Sequence, residues 1–175
     1  MINIIRAAAQ HSAVLASLSQ QTFVDAFGKD NNPIDLNAYV SQAFSEATIQ
    51  QELLDPGSVF YLAYLQEEPI GYLKLRRGRT PNTLRHCQAM ELQRIYVQQR
   101  AVGRGIGARL MQTAVDYARQ AGYRVLWLGV WERNPSAIAF YQKWGFSKFD
   151  THTFMIGQDA QTDWLMQKLL DNEEP

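Results

Sequence analysis

The run Val102-Gly103-Arg104-Gly105-Ile106-Gly107 has the residue types needed to hold an anion. Glycines let the backbone approach a ligand closely and take conformations that a Cβ would forbid. A helix opening at Gly105 offers unpaired N–H groups and the positive end of its dipole. Phosphate binding is therefore the first chemistry to consider. Arg104 sits inside the turn, while Arg109 and Lys143 could also reach a phosphate or could simply be solvated helical cations. Upstream, Glu91 places one carboxylate in an apolar strand pattern, and downstream Asn134-Pro135 opens a second helical segment.

Around these residues the chain reads as alternating strands and helices. Ile2 to Arg6 predicts a first strand, and Val14, Leu15, Leu18, Phe23 and Phe27 recur at helical spacing up to Gly28. Asn32 before Pro33, and Ser45, are helix caps, giving two short helices that end before Asp55-Pro56-Gly57. Val59 to Leu65 and Ile70 to Leu75 predict a hairpin, followed by a basic loop from Arg76 to Gln88. Glu91 to Val97 predicts a strand with Glu91, Gln93, Ile95 and Val97 on one face. Ile106, Leu110, Ala114, Tyr117, Ala118 and Ala121 form an apolar helical stripe that stops before Gly122. Val125 to Val130 predicts a strand buried on both faces, and the helix from Asn134 ends at Gly145. Phe146 to Phe154 and Gln161 to Leu169 predict two strands joined through Met155 to Ala160.

The 175 residues, 46% hydrophobic and 19% charged, suit one globular domain spanning 1–175. Seventeen basic residues balance seventeen acidic ones, so no global field gathers nucleic acid or an anionic membrane. Cys87 is the one cysteine and forms no internal disulfide. The start Met1-Ile2-Asn3-Ile4-Ile5-Arg6 carries neither a basic leader nor a long apolar run, so the expected location is cytoplasmic.

The segment Gln98 to Gly107, followed by Asn134-Pro135-Ser136-Ala137-Ile138-Ala139-Phe140-Tyr141-Gln142-Lys143-Trp144-Gly145-Phe146, resembles the two signature segments of the GCN5-related N-acetyltransferase (GNAT) superfamily. Its members show Gln or Arg, two residues, Gly, one residue, then Gly or Ala at the turn. Here the first position is Val102 when aligned on Gly105 and Gly107, and Arg100 when aligned on Gly103 and Gly105. The cradle is chiefly backbone N–H, so it survives that departure. The resemblance implies a mixed α/β GNAT fold with a central, mostly antiparallel twisted sheet and flanking helices. It also implies acetyl-CoA as co-substrate and no metal. Ile95, Tyr96 and Val97 would pair with the pantetheine arm, and Val102, Gly103, Arg104, Gly105, Ile106, Gly107 and Ala108 would hold the pyrophosphate. Asn134 would cap its helix, bond the carrier, or do both in turn, and Lys143 would lie near the nucleotide.

A narrower similarity, in Glu91 to Val97, Trp127 to Glu132 and His152 through Gly157 to Asp163, is to the PaiA-type bacterial acetyltransferases, which acetylate spermidine and spermine. It extends to Gln21-Thr22-Phe23 and to Tyr39 through Phe44. The reaction this implies is direct attack of a primary amine on the thioester in a ternary complex. An amine with a pKa of about 10.4 must first lose a proton. Glu91 is the candidate base, directly or through water; alternatively it orders the strand or pairs with a basic neighbour. The resemblance places Tyr141 beside the departing sulfur as the candidate acid, and a backbone N–H at Ile95, where a bulge or splay would admit the thioester, at the developing oxyanion. Asp25, Asp30 and Asp35 lie in helices that would wall the acceptor site, with Glu132 near the carrier. His152 and the four tryptophans read as structural residues.

Competing classes fit less well. Gly103, Gly105 and Ala108 also satisfy a dinucleotide fingerprint, but the following strand has no acid before Glu132. No Lys-Ser or Lys-Thr follows the glycines, which disfavours a nucleotide hydrolase. An acyl-CoA sensor would keep the cradle without needing Glu91 or Tyr141, and a protein amino group is the runner-up acceptor. A homodimer is compatible with the sequence but not written in it.

Overall fold

The computed structural model describes residues 1–170. Seven strands form one sheet in the order β1-β2-β3-β4-β5-β7-β6. They are β1 (Ile2–Arg6), β2 (Ser58–Leu65), β3 (Glu68–Arg76), β4 (Ala89–Val97), β5 (Val125–Trp131), β6 (Ser147–Ile156) and β7 (Asp159–Leu169). Every neighbouring pair is antiparallel except β4 with β5, so the fold is mixed α/β with a mostly antiparallel sheet. Helices α1 (Ser12–Phe27), α2 (Pro33–Ala43) and α3 (Glu46–Leu54) lie between β1 and β2 in sequence. Helix α4 (Ile106–Gln120) joins β4 to β5, and α5 (Pro135–Lys143) joins β5 to β6.

Local signals explain most boundaries. Asn32 accepts from the N–H groups of Ile34 and Asp35 at the start of α2, with Pro33 in its first turn. Ser45 accepts from Thr48 N–H at the start of α3. Of the expected stripe on α4, Ile106, Leu110, Ala114 and Ala118 are buried and are joined by Met111 and Val115 against Leu73, Leu75, Met90, Leu92, Leu126 and Leu128 on one face of the sheet, whereas Tyr117 is half-buried and Ala121, past the helix end, is exposed. The opposite face meets α1 to α3 through Leu15, Leu18, Phe23, Leu36, Val40, Phe44 and Ile49 against Phe60, Leu62 and Tyr72.

Two expectations change. The last hairpin turns tightly at Gly157 and Gln158, because both strands extend to Ile156 and from Asp159, leaving no loop from Met155 to Ala160. Arg76 ends β3 instead of opening a basic loop; the connection to β4 contains a 3-10 turn at Asn82–Leu84. Among the described residues no helix is long and apolar enough to cross a membrane.

Candidate active site

Strands β4 and β5 pair at three positions only, Ala89 with Val125, Met90 with Leu126 and Glu91 with Trp127. Beyond them β4 runs to Val97 and β5 to Trp131 without further pairing. The physical origin lies in β4. Against β3, Leu92 faces Leu75 and Arg94 faces Lys74, so Gln93 is an extra residue in a bulge. A bulge bends its strand and increases the local twist, which drives two parallel neighbours apart. The backbone of β4 from Leu92 onward therefore has no strand partner on the β5 side. Gln93 also carries a buried Oε1 with no hydrogen-bond partner among the described residues.

The bulge overturns the expected face of Glu91. Met90, Leu92, Ile95 and Val97 share the α4 side, whereas Arg94 and Tyr96 lie with Lys74 and Tyr72 toward α1 to α3. Glu91, opposite Arg76, belongs to the second set, so it does not share a face with Ile95 and Val97. An alternation count carried across the strand fails because Gln93 uses up one residue without a partner. The Glu91 carboxylate is buried, and both its oxygens accept from Arg76, Oε2 from Nε and Oε1 from Nη2. The alternative reading of Glu91 as paired with a basic neighbour is thus what the geometry displays.

At the turn, Gly103 and Gly105 have φ of +83° and +79°, and nothing lies within 4 Å of where a Cβ would stand at either residue. Unlike α2, α3 and α5, helix α4 has no side chain among the described residues accepting from its first N–H groups. Uncapped N–H groups under open backbone are what a pyrophosphate requires, so the residues present fit coenzyme A. Val102 is 59% exposed and its side chain takes no part in the turn's packing, while Ile106 is buried and fixes the helix. Gly107 lies against Phe140 of α5 and Val97 of β4, which ties the turn to both. Arg104 and Ala108 are exposed. Arg100 is directed elsewhere, donating to Glu68 and Gln98, and Arg109 donates to the carbonyl of Ile2.

Helix α5 begins at Asn134, whose Oδ1 accepts from Ala137 N–H at 3.2 Å, so the capping role is the one observed. Lys143 is exposed at the other end of the helix. Tyr141 points into the α4-side core between Phe140 and Phe146. Burial pushes its phenol well above the ordinary range. No hydrogen bond reaches its hydroxyl among the described residues, and its charge would bear on Tyr96 of β4, which burial first and Tyr72 second also push up. Ile95 and Val97, in the unpaired stretch of β4, pack against the core cluster that contains Tyr141.

On the other side of the split the side chains are aromatic and ionic. Phe27 meets Trp131, and Tyr39 meets Phe23 and Phe154. Glu52 of α3 accepts from Arg94 at 2.6 and 3.0 Å and from Lys74 at 3.0 Å. Burial alone would raise Glu52, but Arg94 and Lys74 outweigh it and hold the carboxyl below its usual range. Asp25 is taken up by Gln21 on an exposed face, Asp30 is exposed, and Asp35 abuts the turn at Gly157. The expected acidic wall is thus dispersed. A cleft of about 380 Å³ beside Arg77 and Tyr123 lies away from this region and includes neither Tyr141 nor the glycine turn.

The acetyltransferase (GNAT) family profile matches residues 22–146, and the chain belongs to that family. It is an acetyl-CoA-dependent N-acetyltransferase of that class. An uncharacterized N-acetyltransferase from the pepI 3′ region of Lactobacillus delbrueckii subsp. lactis is 36% identical over 169 residues, covering 97% of this chain and 98% of the relative. A second uncharacterized N-acetyltransferase, from Mycobacterium bovis, is 30% identical over 156 residues, covering 89% and 96%. Among solved structures, the PaiA N-acetyltransferase of Thermoplasma acidophilum, in complex with coenzyme A, superposes with a TM-score of 0.81 at 19% identity, covering 97% and 99%.

Proposed function

We propose that the chain acetylates a small cationic primary amine of the polyamine class, by direct attack of the amine on acetyl-CoA in a ternary complex. The observation that carries this reading is the split between β4 and β5, which has the uncapped turn and Tyr141 on one side and an aromatic, ionic region on the other. Backbone N–H groups from Val102 to Ala108 would hold the pyrophosphate, and the unpaired edge of Ile95, Tyr96 and Val97 would take the pantetheine arm as a further strand. The thioester then lies at the split, with the N–H of Ile95 available to the developing oxyanion. The PaiA-type resemblance supports the polyamine.

The amine nitrogen attacks the acetyl carbon, the C–S bond breaks, and the Tyr141 hydroxyl hydrogen-bonds the sulfur as its charge develops, coenzyme A leaving as the thiolate. Burial pushes that phenol above its ordinary range, so it stays protonated and acts chiefly as a hydrogen-bond donor, since full transfer to a thiolate whose conjugate thiol has a pKa of about 8.5 is uphill. Glu91, its oxygens engaged by Arg76, serves as base through water rather than by direct contact. Thiol release from acetyl-CoA is the test, across spermidine, spermine, small monoamines, aminoglycosides and lysine peptides. Saturable turnover on polyamines that falls by about 10²–10⁴ in Tyr141→Phe is the expected result. Turnover on lysine peptides alone would make the acceptor a protein amino group. Tight acetyl-CoA binding with no turnover would make the chain a sensor.

A further inference from the structure

We infer that Asp163 is the acceptor-site carboxylate, receiving the ammonium of the amine substrate beside the β4–β5 split within a wall of aromatic side chains. The inference rests on the acetyl-transfer reading and adds the residue that selects a cation. Asp163 stands in β7 directly opposite Trp131 of β5 and His152 of β6, and cross-strand partners project from the same face. That face is the one toward α1 and α2. Phe27 of α1 lies 5.8 Å from Trp131 by ring centroids, and Tyr39 of α2 lies 5.7 Å from Phe154.

Gly129 directs the carboxylate toward the split. It lies in the part of β5 that has left β4, and a Cβ built there would stand 3.5 Å from Asp163 Oδ2. The carboxylate thus leans over a position with no side chain, on the strand that borders the site of acyl transfer. Among the described residues it accepts no hydrogen bond and forms no ion pair, His152 included. Burial raises its pKa and the charge of His152 lowers it, and it lies close enough to Tyr39 for their charges to interact. A half-buried carboxylate with no partner of its own is costly unless a cation completes it. Aromatic faces add cation–π attraction and apolar contact for the methylenes beside an ammonium. Chain closure supports the same place: Gln161 Nε2 donates to Asn31 Oδ1 at 2.6 Å, joining β7 to the segment between α1 and α2. The acceptor that fits is a slender alkyl ammonium without a carboxylate of its own.

The test is calorimetric titration of the coenzyme A-saturated chain with spermidine, butylamine and 4-aminobutyrate, for wild type, Asp163→Asn, Gly129→Val and Asp25→Asn. Coenzyme A affinity and thermal melting verify that each variant is folded. Wild type and Asp25→Asn are expected to bind spermidine and butylamine and to discriminate against 4-aminobutyrate. Asp163→Asn is expected to lose about tenfold or more in amine affinity. Gly129→Val, which fills the space under the carboxylate, should lose affinity in the same direction and serves if Asp163→Asn does not fold. Wild-type affinity in both variants, or no amine binding by wild type, overturns the inference. Amine-dependent thiol release unchanged in Asp163→Asn would overturn it while leaving acetyl transfer intact. Amine binding lost in Asp163→Asn without thiol release from wild type would do the reverse.

Discussion

The two faces of the sheet solve different problems. Toward α4 the buried side chains are almost entirely aliphatic, Ile106, Leu110, Met111 and Ala114 against Leu73, Leu75, Leu92 and Leu128, with Tyr141 as the polar exception. Toward α1 to α3 the same sheet buries Lys74 and Arg94 against Glu52, beside Tyr39, Tyr72 and Tyr96. Apolar packing holds a rigid platform for the glycine turn, because dispersion and burial need only matched shapes. Buried charge is tolerated only when each group is paired, so the second face depends on a few specific contacts. One face supports the glycine turn by packing; the other holds paired charges among aromatic side chains.

Removing one partner of the buried ion cluster should have the largest effect on stability. Glu52→Ala leaves Lys74 and Arg94 facing each other with no counter-ion and should cost about 3–5 kcal/mol, read by urea unfolding. Leu110→Ala on the aliphatic face should cost about 2–5 kcal/mol through lost burial and the cavity left behind. If Glu52→Ala costs far less than Leu110→Ala, the ionic face is not held by its pairs and the contrast fails. A smaller effect is expected from Asn134→Ala, about 1 kcal/mol, since it removes one cap from α5.

The ionic face should also give a pH signature that the aliphatic face lacks. Burial first and Arg94 second push Lys74 down to about 8 from an ordinary 10.5. The native state therefore binds this proton more weakly than the unfolded chain. Between about 8 and 10 the unfolded chain holds the extra proton, so stability rises with pH there. Near 10 the trend reverses, because unfolded tyrosines ionise while buried Tyr72, pushed up to about 12 chiefly by burial, stays protonated. Lys74→Met should flatten the rise between 8 and 10 in chemical-denaturation midpoints. A wild-type profile that falls steadily through that window would contradict the placement of Lys74.

What the sequence disclosed follows the same division. The α4 stripe, the caps at Asn32, Ser45 and Asn134, and the glycine turn are local signals with fixed spacing, and all are present. A bulge or splay in β4 is implied at Ile95 by the resemblance alone; its place at Gln93 is not legible, because a bulge changes register without changing residue type, and it moves Glu91 to the opposite face. Arg76 ends a strand 15 residues from the carboxylate it binds, a pairing that no local signal announces. The pairing of Glu52 with Arg94 spans 42 residues, and no pattern in either segment announces it. Asp163 was equally silent as a lone acid in a strand. Its setting comes from β5, β6 and α2 together.

The central claim is that carrier and acceptor meet at the β4–β5 split and react directly. Initial rates of thiol release, measured while acetyl-CoA and the best amine are varied together, test it most directly. Intersecting double-reciprocal lines, with no acetyl adduct on the protein by mass spectrometry, are the predicted result. Parallel lines with a chain acetylated in the absence of amine would contradict it, since they would require a covalent acetyl-enzyme.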